Sequence, residues 1–306
     1  MTIRHPEPYA VLHVGAAALA LLLAASSHAQ NFDDVEIQTR KLGGGVAMLV
    51  GQGGNIGVST GDDGILMIDD QFAPLAGKIS AAVAALRPGT LRFLVNTHWH
   101  GDHTGGNEVF GASGSVIIAH DNVRARMSTE QFMARRNLRI PPSPRVALPL
   151  LTYGDEVTFH LNGDTVQVRY VGPAHTDGDS VIHFRDANVI HMGDTYFNGM
   201  YPFVDLSSGG SVEGMLGAVN LGLGLANNRT KIIPGHGPLS NRAELRRYRN
   251  MLATVIERVG AEHKAGRSRE ETIAAKPTRD LDGAWARGFI KPDDFVGSVY
   301  ESLAGS

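Results

Sequence analysis

The apolar run Leu91–Asn96 is followed at once by Thr97-His98-Trp99-His100-Gly101-Asp102-His103. No other feature of the chain constrains its fold as tightly. Three histidines and one aspartate fall within six residues, directly after a strand-like segment. Side chains alternate along extended backbone, so His98 and His100 face the same way. Gly101 is expected to let the chain turn sharply, bringing Asp102 and His103 toward them. Neutral imidazole and carboxylate are the ligands that zinc takes in catalytic sites. With 13 histidines in 306 residues, chance supplies a His-x-His-x-Asp-His pattern in roughly one such chain in a thousand. A polar loop with incidental histidines is therefore set aside in favour of a metal site.

Strand and helix signals interleave from end to end. Val46–Val50, Asn55–Ser59, Ile65–Asp69, Leu91–Asn96 and Val116–Ala119 read as strands bounded by glycines and turns. Glu156–His160 and Thr165–Val171 read as a hairpin around Asn162-Gly163, with Val181–Phe184, Val189–Met192 and Lys231–Ile233 as later strands. Lys78–Leu86 and residues 120–138 carry helix formers, and Pro141, Pro142, Pro144 and Pro149 make the next stretch irregular. Asn241-Arg242-Ala243-Glu244 resembles a capping box. Leu245, Tyr248, Leu252, Ile256 and Val259 follow at helical spacing, and Gly260 is expected to end that helix. Its arginines, Arg246, Arg247 and Arg249, read as a solvated face. These signals predict one α/β domain over 30–240 and a helical extension over 241–306 packed on it.

Residues 1–29 read as a secretory signal peptide. A 16-residue apolar run, Ala10–Ala25, precedes Ser27-His28-Ala29, a small-x-small cleavage pattern. The run is short of the roughly 20 residues that span a bilayer, so no stable membrane anchor is expected and the mature chain is placed in the periplasm. The absence of cysteine excludes disulfides, thiol nucleophiles and Cys-ligated metals. The net charge of −3, with no basic stripe, argues against nucleic acid as a partner and leaves a small-molecule substrate. Oligomeric state is not readable.

His98-x-His100-x-Asp102-His103 resembles the signature of the metallo-β-lactamase superfamily. Gly172-Pro173-Ala174-His175-Thr176, His191-Met192-Gly193-Asp194-Thr195 and Pro234-Gly235-His236-Gly237 follow in the family's order. The resemblance spans about residues 35–240 and implies a four-layer αββα sandwich. It implies two zinc ions, with iron or manganese as alternatives. His98, His100 and His175 would hold the first, and Asp102, His103 and His236 the second. Asp194 would bridge them, as in the glyoxalase II branch, in place of the β-lactamase cysteine. Asp69 would buttress the first loop from behind the ligands. Asp102 would also orient a metal-bridging hydroxide that attacks an acyl carbonyl.

Within that family a secreted address favours a β-lactam amide as substrate. A thioesterase or lactonase is the alternative, and a non-catalytic metal-binding protein is a remote one. The best-known β-lactamases grip the drug carboxylate with a lysine, where this chain has Phe197. Trp99, Asn198 and Tyr201 are candidates for the substrate pocket. A helix opening at Ser211 is also expected.

Overall fold

The structure is a computed structural model that describes residues 31–305. The expected signal peptide lies outside the described residues. From Phe32 onward the chain forms one compact unit.

The first half builds a seven-stranded sheet from β1 (Gln38–Gly43), β2 (Val46–Val50), β3 (Ile56–Gly61), β4 (Gly64–Ile68), β5 (Leu91–Val95) and β6 (Val116–His120). A separate small hairpin, β7 (Gln131–Met133) with β8 (Leu138–Ile140), precedes the last strand, β9 (Leu151–Tyr153). Strands β1 to β4 pair antiparallel, and β4, β5, β6 and β9 run parallel. The second sheet has the order β10 (Glu156–Leu161), β11 (Asp164–Tyr170), β12 (Ser180–Phe184), β13 (Val189–His191), β14 (Lys231–Ile233), β15 (Ser240–Asn241). It is antiparallel except at β13–β14.

Period-2 patterning sorts the apolar side chains into layers. In β4, Leu66 and Ile68 point into the core between the sheets, against Val168, Ile182 and Phe184 of the second sheet. Ile65 and Met67 point outward beneath α1 (Ala76–Leu86), with Ile79 and Val83. The short α2 (Gly101–Thr104), α3 (Asn107–Ala112) and α4 (Asp121–Met127) follow strands of the first sheet. The outer face of the second sheet packs Ile190 and Ile232 against α5 (Val212–Leu225) and α6 (Arg242–Lys264). The chain then forms α7 (Arg269–Ala274), α8 (Asp282–Trp285) and α9 (Pro292–Ala304), and α9 docks on α6 and α7 through Phe295 and Val299. Helices thus cover both outer faces of two packed sheets. Among the described residues no helix is long and apolar enough to cross a membrane.

Three sequence expectations change. Residues 120–138 hold only the seven-residue α4, after which the chain turns into the β7–β8 hairpin, closed by Asn137 at φ 47°. Helix α6 runs through Gly260, beside Leu303, and stops where Gly266 adopts φ 76°, as a left-handed C-terminal glycine does. Asn241 caps α6 by accepting from the Ala243 and Glu244 N–H groups, but Glu244 points to Arg247 instead of closing a capping box.

Candidate metal centre

The parallel strands set the site. Strands β4, β5, β13 and β14 all end at the same rim, and the residues just beyond them are Asp69, His98–His103, Asp194 and His236. Loops beyond the carboxyl ends of parallel strands are where α/β folds place ligands. His100 caps α2, which carries Asp102 and His103. Gly101 has no positive φ and a Cβ there would meet nothing, so the turn comes from the start of α2 and not from glycine freedom. Glycine matters at two other places. A Cβ on Gly54 would collide with the His103 ring, and one on Gly235 with the Asp194 carboxylate.

Seven side chains converge. Three overlapping groups, His98–His100–His175, His98–His103–Asp194 and Asp102–His103–His236, each bring their ligand atoms within 4.8 Å of one another. Asp194 lies between the halves. Its Oδ2 is 3.5 Å from His175 Nε2 and 3.3 Å from His236 Nε2, and its Oδ1 is 3.1 Å from His103 Nε2. Asp102 Oδ2 is 3.3 Å from His236 Nε2 and 3.7 Å from His103 Nε2. Sequence-predicted ligands from 98 to 236 are therefore together in one cluster.

The outer hydrogen bonds fix which nitrogen of each ring faces inward. Asp69, held at φ 62°, accepts from the Thr97 N–H (2.7 Å), Thr97 Oγ1 (2.8 Å) and His103 Nδ1 (2.8 Å). Thr97 Oγ1 in turn sits 3.0 Å from His98 Nδ1. His175 Nδ1 donates to the Phe203 carbonyl (2.8 Å), and His100 Nε2 donates to Asp205 Oδ2 (2.9 Å). Each acceptor claims the ring proton and leaves the other nitrogen with a lone pair. The inward nitrogens of His175 and His100 then face each other at 2.8 Å, an arrangement that a shared cation satisfies.

This donor set fits metal ions. His98 Nε2, His103 Nε2 and Asp194 Oδ1 are buried without a hydrogen bond; the 3.1 Å approach of the last two lacks hydrogen-bond geometry. Buried polar atoms are rarely left so. Burial lowers the pKa of His98, His100 and His175, which keeps them neutral and able to ligate. Burial works the same way on His236, but Asp194 and Asp102 outweigh it and hold its imidazole up to about 9. Burial would raise Asp102 and Asp194, yet His103 and His236 keep both carboxyls below the usual range. The imidazoles of one half are thus neutral, whereas in the other the carboxylates of Asp102 and Asp194 raise both His103 and His236 against burial, and nitrogen and oxygen are the only donors of the cluster.

The expected pocket residues fare differently. Tyr201 is a correction: it is fully buried, stacked on Phe295, with its hydroxyl donating to Asp282. Trp99 is buried and donates to Ser208 Oγ, bordering a cavity of about 190 Å³ behind its loop. Asn198 donates to the Pro238 carbonyl and borders a cavity of about 530 Å³ between α6 and α8. Sequence reasoning missed Thr97, Asp205 and the Phe203 carbonyl. Asp205 carried no sequence signal of this role; in the fold it also accepts from Ser207 and Ser208.

The family model described as the metallo-beta-lactamase superfamily matches residues 43–247. A 2,4-dinitroanisole O-demethylase subunit alpha from a Nocardioides species is 26% identical over 141 residues, 45% of this chain and 40% of that protein. A hydroxyacylglutathione hydrolase from Brucella anthropi is 32% identical over 142 residues, 44% of this chain and 46% of that protein. The chain therefore spans less than half the length of these curated relatives. A solved metallo-beta-lactamase from Pontibacter korlensis superposes with a TM-score of 0.58 at 16% identity, covering 71% of this chain and 99% of that one. At that identity the likeness speaks for the fold alone.

Proposed function

The chain belongs to the metallo-beta-lactamase superfamily, and we propose that it is a hydrolase holding two metal ions, zinc in the first place, that cleaves an acyl bond in a small molecule. The observation that carries this reading is Asp194, whose carboxylate lies within 3.5 Å of His175 on one side and 3.1 Å of His103 on the other. Metal ions bound there would acidify a water and polarise a carbonyl oxygen. His98, His100 and His175 would hold one ion, and Asp102, His103 and His236 the other, with Asp194 shared.

The chain's own groups supply orientation. Asp69, Thr97, Asp205 and the Phe203 carbonyl aim the imidazoles, so ligand geometry is fixed before any substrate arrives. Asp102 is the most exposed of the carboxylates here, at 28% of its side chain. Its Oδ2 faces His236 and His103, which leaves Oδ1 to accept a hydrogen bond from the attacking water and orient it toward the acyl carbon.

A thioester or ester ranks ahead of a β-lactam amide. The Brucella anthropi relative is named for an acyl-glutathione substrate. At the position where the resemblance implies a carboxylate-gripping lysine, Phe197 is buried and stacked on His236, 5.3 Å between centroids at 16°. The apolar run and cleavage pattern of residues 1–29 support a periplasmic location.

The test is hydrolysis of an acyl thioester, a lactone and a chromogenic cephalosporin by the purified zinc-loaded protein, before and after chelation. The expected result is about two zinc ions per chain, chelator-sensitive thioester or lactone turnover, and joint loss of metal and activity in His98→Ala. Preferential cephalosporin turnover would restore the β-lactam reading. A protein with two metals per chain and no turnover on any of them would leave a non-catalytic metal-binding role.

A further inference from the structure

The metal cluster is closed on one side and open on the other. The side chains of His98, His103 and His175 have no exposed surface, whereas those of Asp102 and His236 keep 28% and 17%. A small molecule therefore reaches the cluster past Asp102 and His236. Phe289 stands at that opening. Its ring meets the His236 ring edge-on, 6.1 Å between centroids at 76°, and lies 6.3 Å from Phe197. Phe289 as a residue is 51% exposed, yet the chain that presents it is fixed. Ile290 is buried, and the Trp285 carbonyl accepts the Tyr201 N–H at 2.8 Å. A Cβ on Gly288 would run into Met200.

An exposed aromatic standing alone needs no explanation. One anchored by its neighbours and set against a candidate ligand at the open face of the cluster does. Phe289 also lies outside residues 43–247, the stretch that the family model matches. We propose that Phe289 is the specificity-determining wall of the site, selecting acyl compounds with an aryl group next to the reacting carbonyl over their methyl counterparts. An aryl ring entering past His236 would cover the exposed half of Phe289 in an offset or edge-on pair, which corresponds to a preference of roughly five- to tenfold. The proposal extends the hydrolase reading, but its first test does not depend on turnover.

That test is calorimetric binding of benzohydroxamate and acetohydroxamate, which share one metal-binding group, to the purified zinc-loaded protein. The wild type is expected to bind the aryl compound about five- to tenfold more tightly. Phe289→Ala should lose most of that preference with zinc affinity unchanged, and Phe289→Tyr should keep it. No preference in the wild type, or one that survives in Phe289→Ala, would overturn the proposal. Equal weakening of both ligands together with weaker zinc binding would overturn it too, because Phe289 would then only steady His236. In turnover by Phe289→Ala, a benzoyl thioester should lose its advantage over the acetyl thioester through KM, with kcat retained. A wild type that turns over neither thioester but keeps the binding preference would sink the hydrolase reading and leave the wall in place.

Discussion

His100 owes its orientation to Asp205, which also accepts from Ser207 and Ser208 and so stands ready as a fixed acceptor. Removing its charge should loosen the ring without touching the inward nitrogen. Asp205→Asn is expected to weaken zinc binding by about 10- to 100-fold, read by competition with a coloured chelator; unchanged affinity would leave Asp205 a bystander. Asp179 offers a pH signature. Burial pushes its carboxyl up to about 7, against hydrogen bonds from Thr176 N and Oγ1 that favour the ionised form. Unfolded, the same group ionises near pH ~3.9. Between those values the folded chain keeps a proton that the unfolded chain has lost, so stability falls as pH rises from about 4 to about 7. Asp179→Asn should therefore narrow the gap in urea midpoint between pH 5 and pH 8; an unaltered gap would assign it to other groups. The ligand residues were legible because their types and spacing are rare. Of their supports, Asp69 was expected through the family resemblance and does hold His103, whereas Asp205 was not, since it reaches His100 across 105 residues of sequence.

Strands were easier to read than helices. Alternating runs such as Val46–Val50 carry their own period, and Asn162 and Gly163, at φ 55° and 73°, close the β10–β11 hairpin as an Asn-Gly pair should. The β7–β8 hairpin was illegible because its three-residue strands are too short to show a period and its residues are good helix formers. Gly260 misled for a related reason. A glycine ends a helix through its left-handed φ, and only tertiary structure reveals that Gly266 adopts one and Gly260 does not. At the other end of α6, Asn241 satisfies two N–H groups that would otherwise lack partners. Asn241→Ala is expected to destabilise the protein by about 1 kcal/mol. A denaturant midpoint equal to that of the wild type would show that α6 is held by packing alone.

The two sheets meet across a core of Leu66, Ile68, Ile182 and Phe184, and the metal cluster lies at one end of that seam. His98, His100, Asp102 and His103 follow the first sheet, while His175, Asp194 and His236 belong to loops of the second. Bound ions would tie the sheets together in the folded state only. At metal concentrations about 1,000 times the Kd, that linkage is worth about 4 kcal/mol, so chelation should lower the Tm by on the order of 10 °C in a domain of this size. An identical Tm with and without metal would mean that the cluster binds none. The same division has another consequence. The small β7–β8 hairpin, which belongs to neither main sheet, falls in sequence between the two sets of ligands. Severed there, the chain would become two polypeptides, each owning an incomplete coordination sphere. Zinc would then report their reunion, and the protein would become a two-part sensor whose output exists only while the fragments are in each other's company.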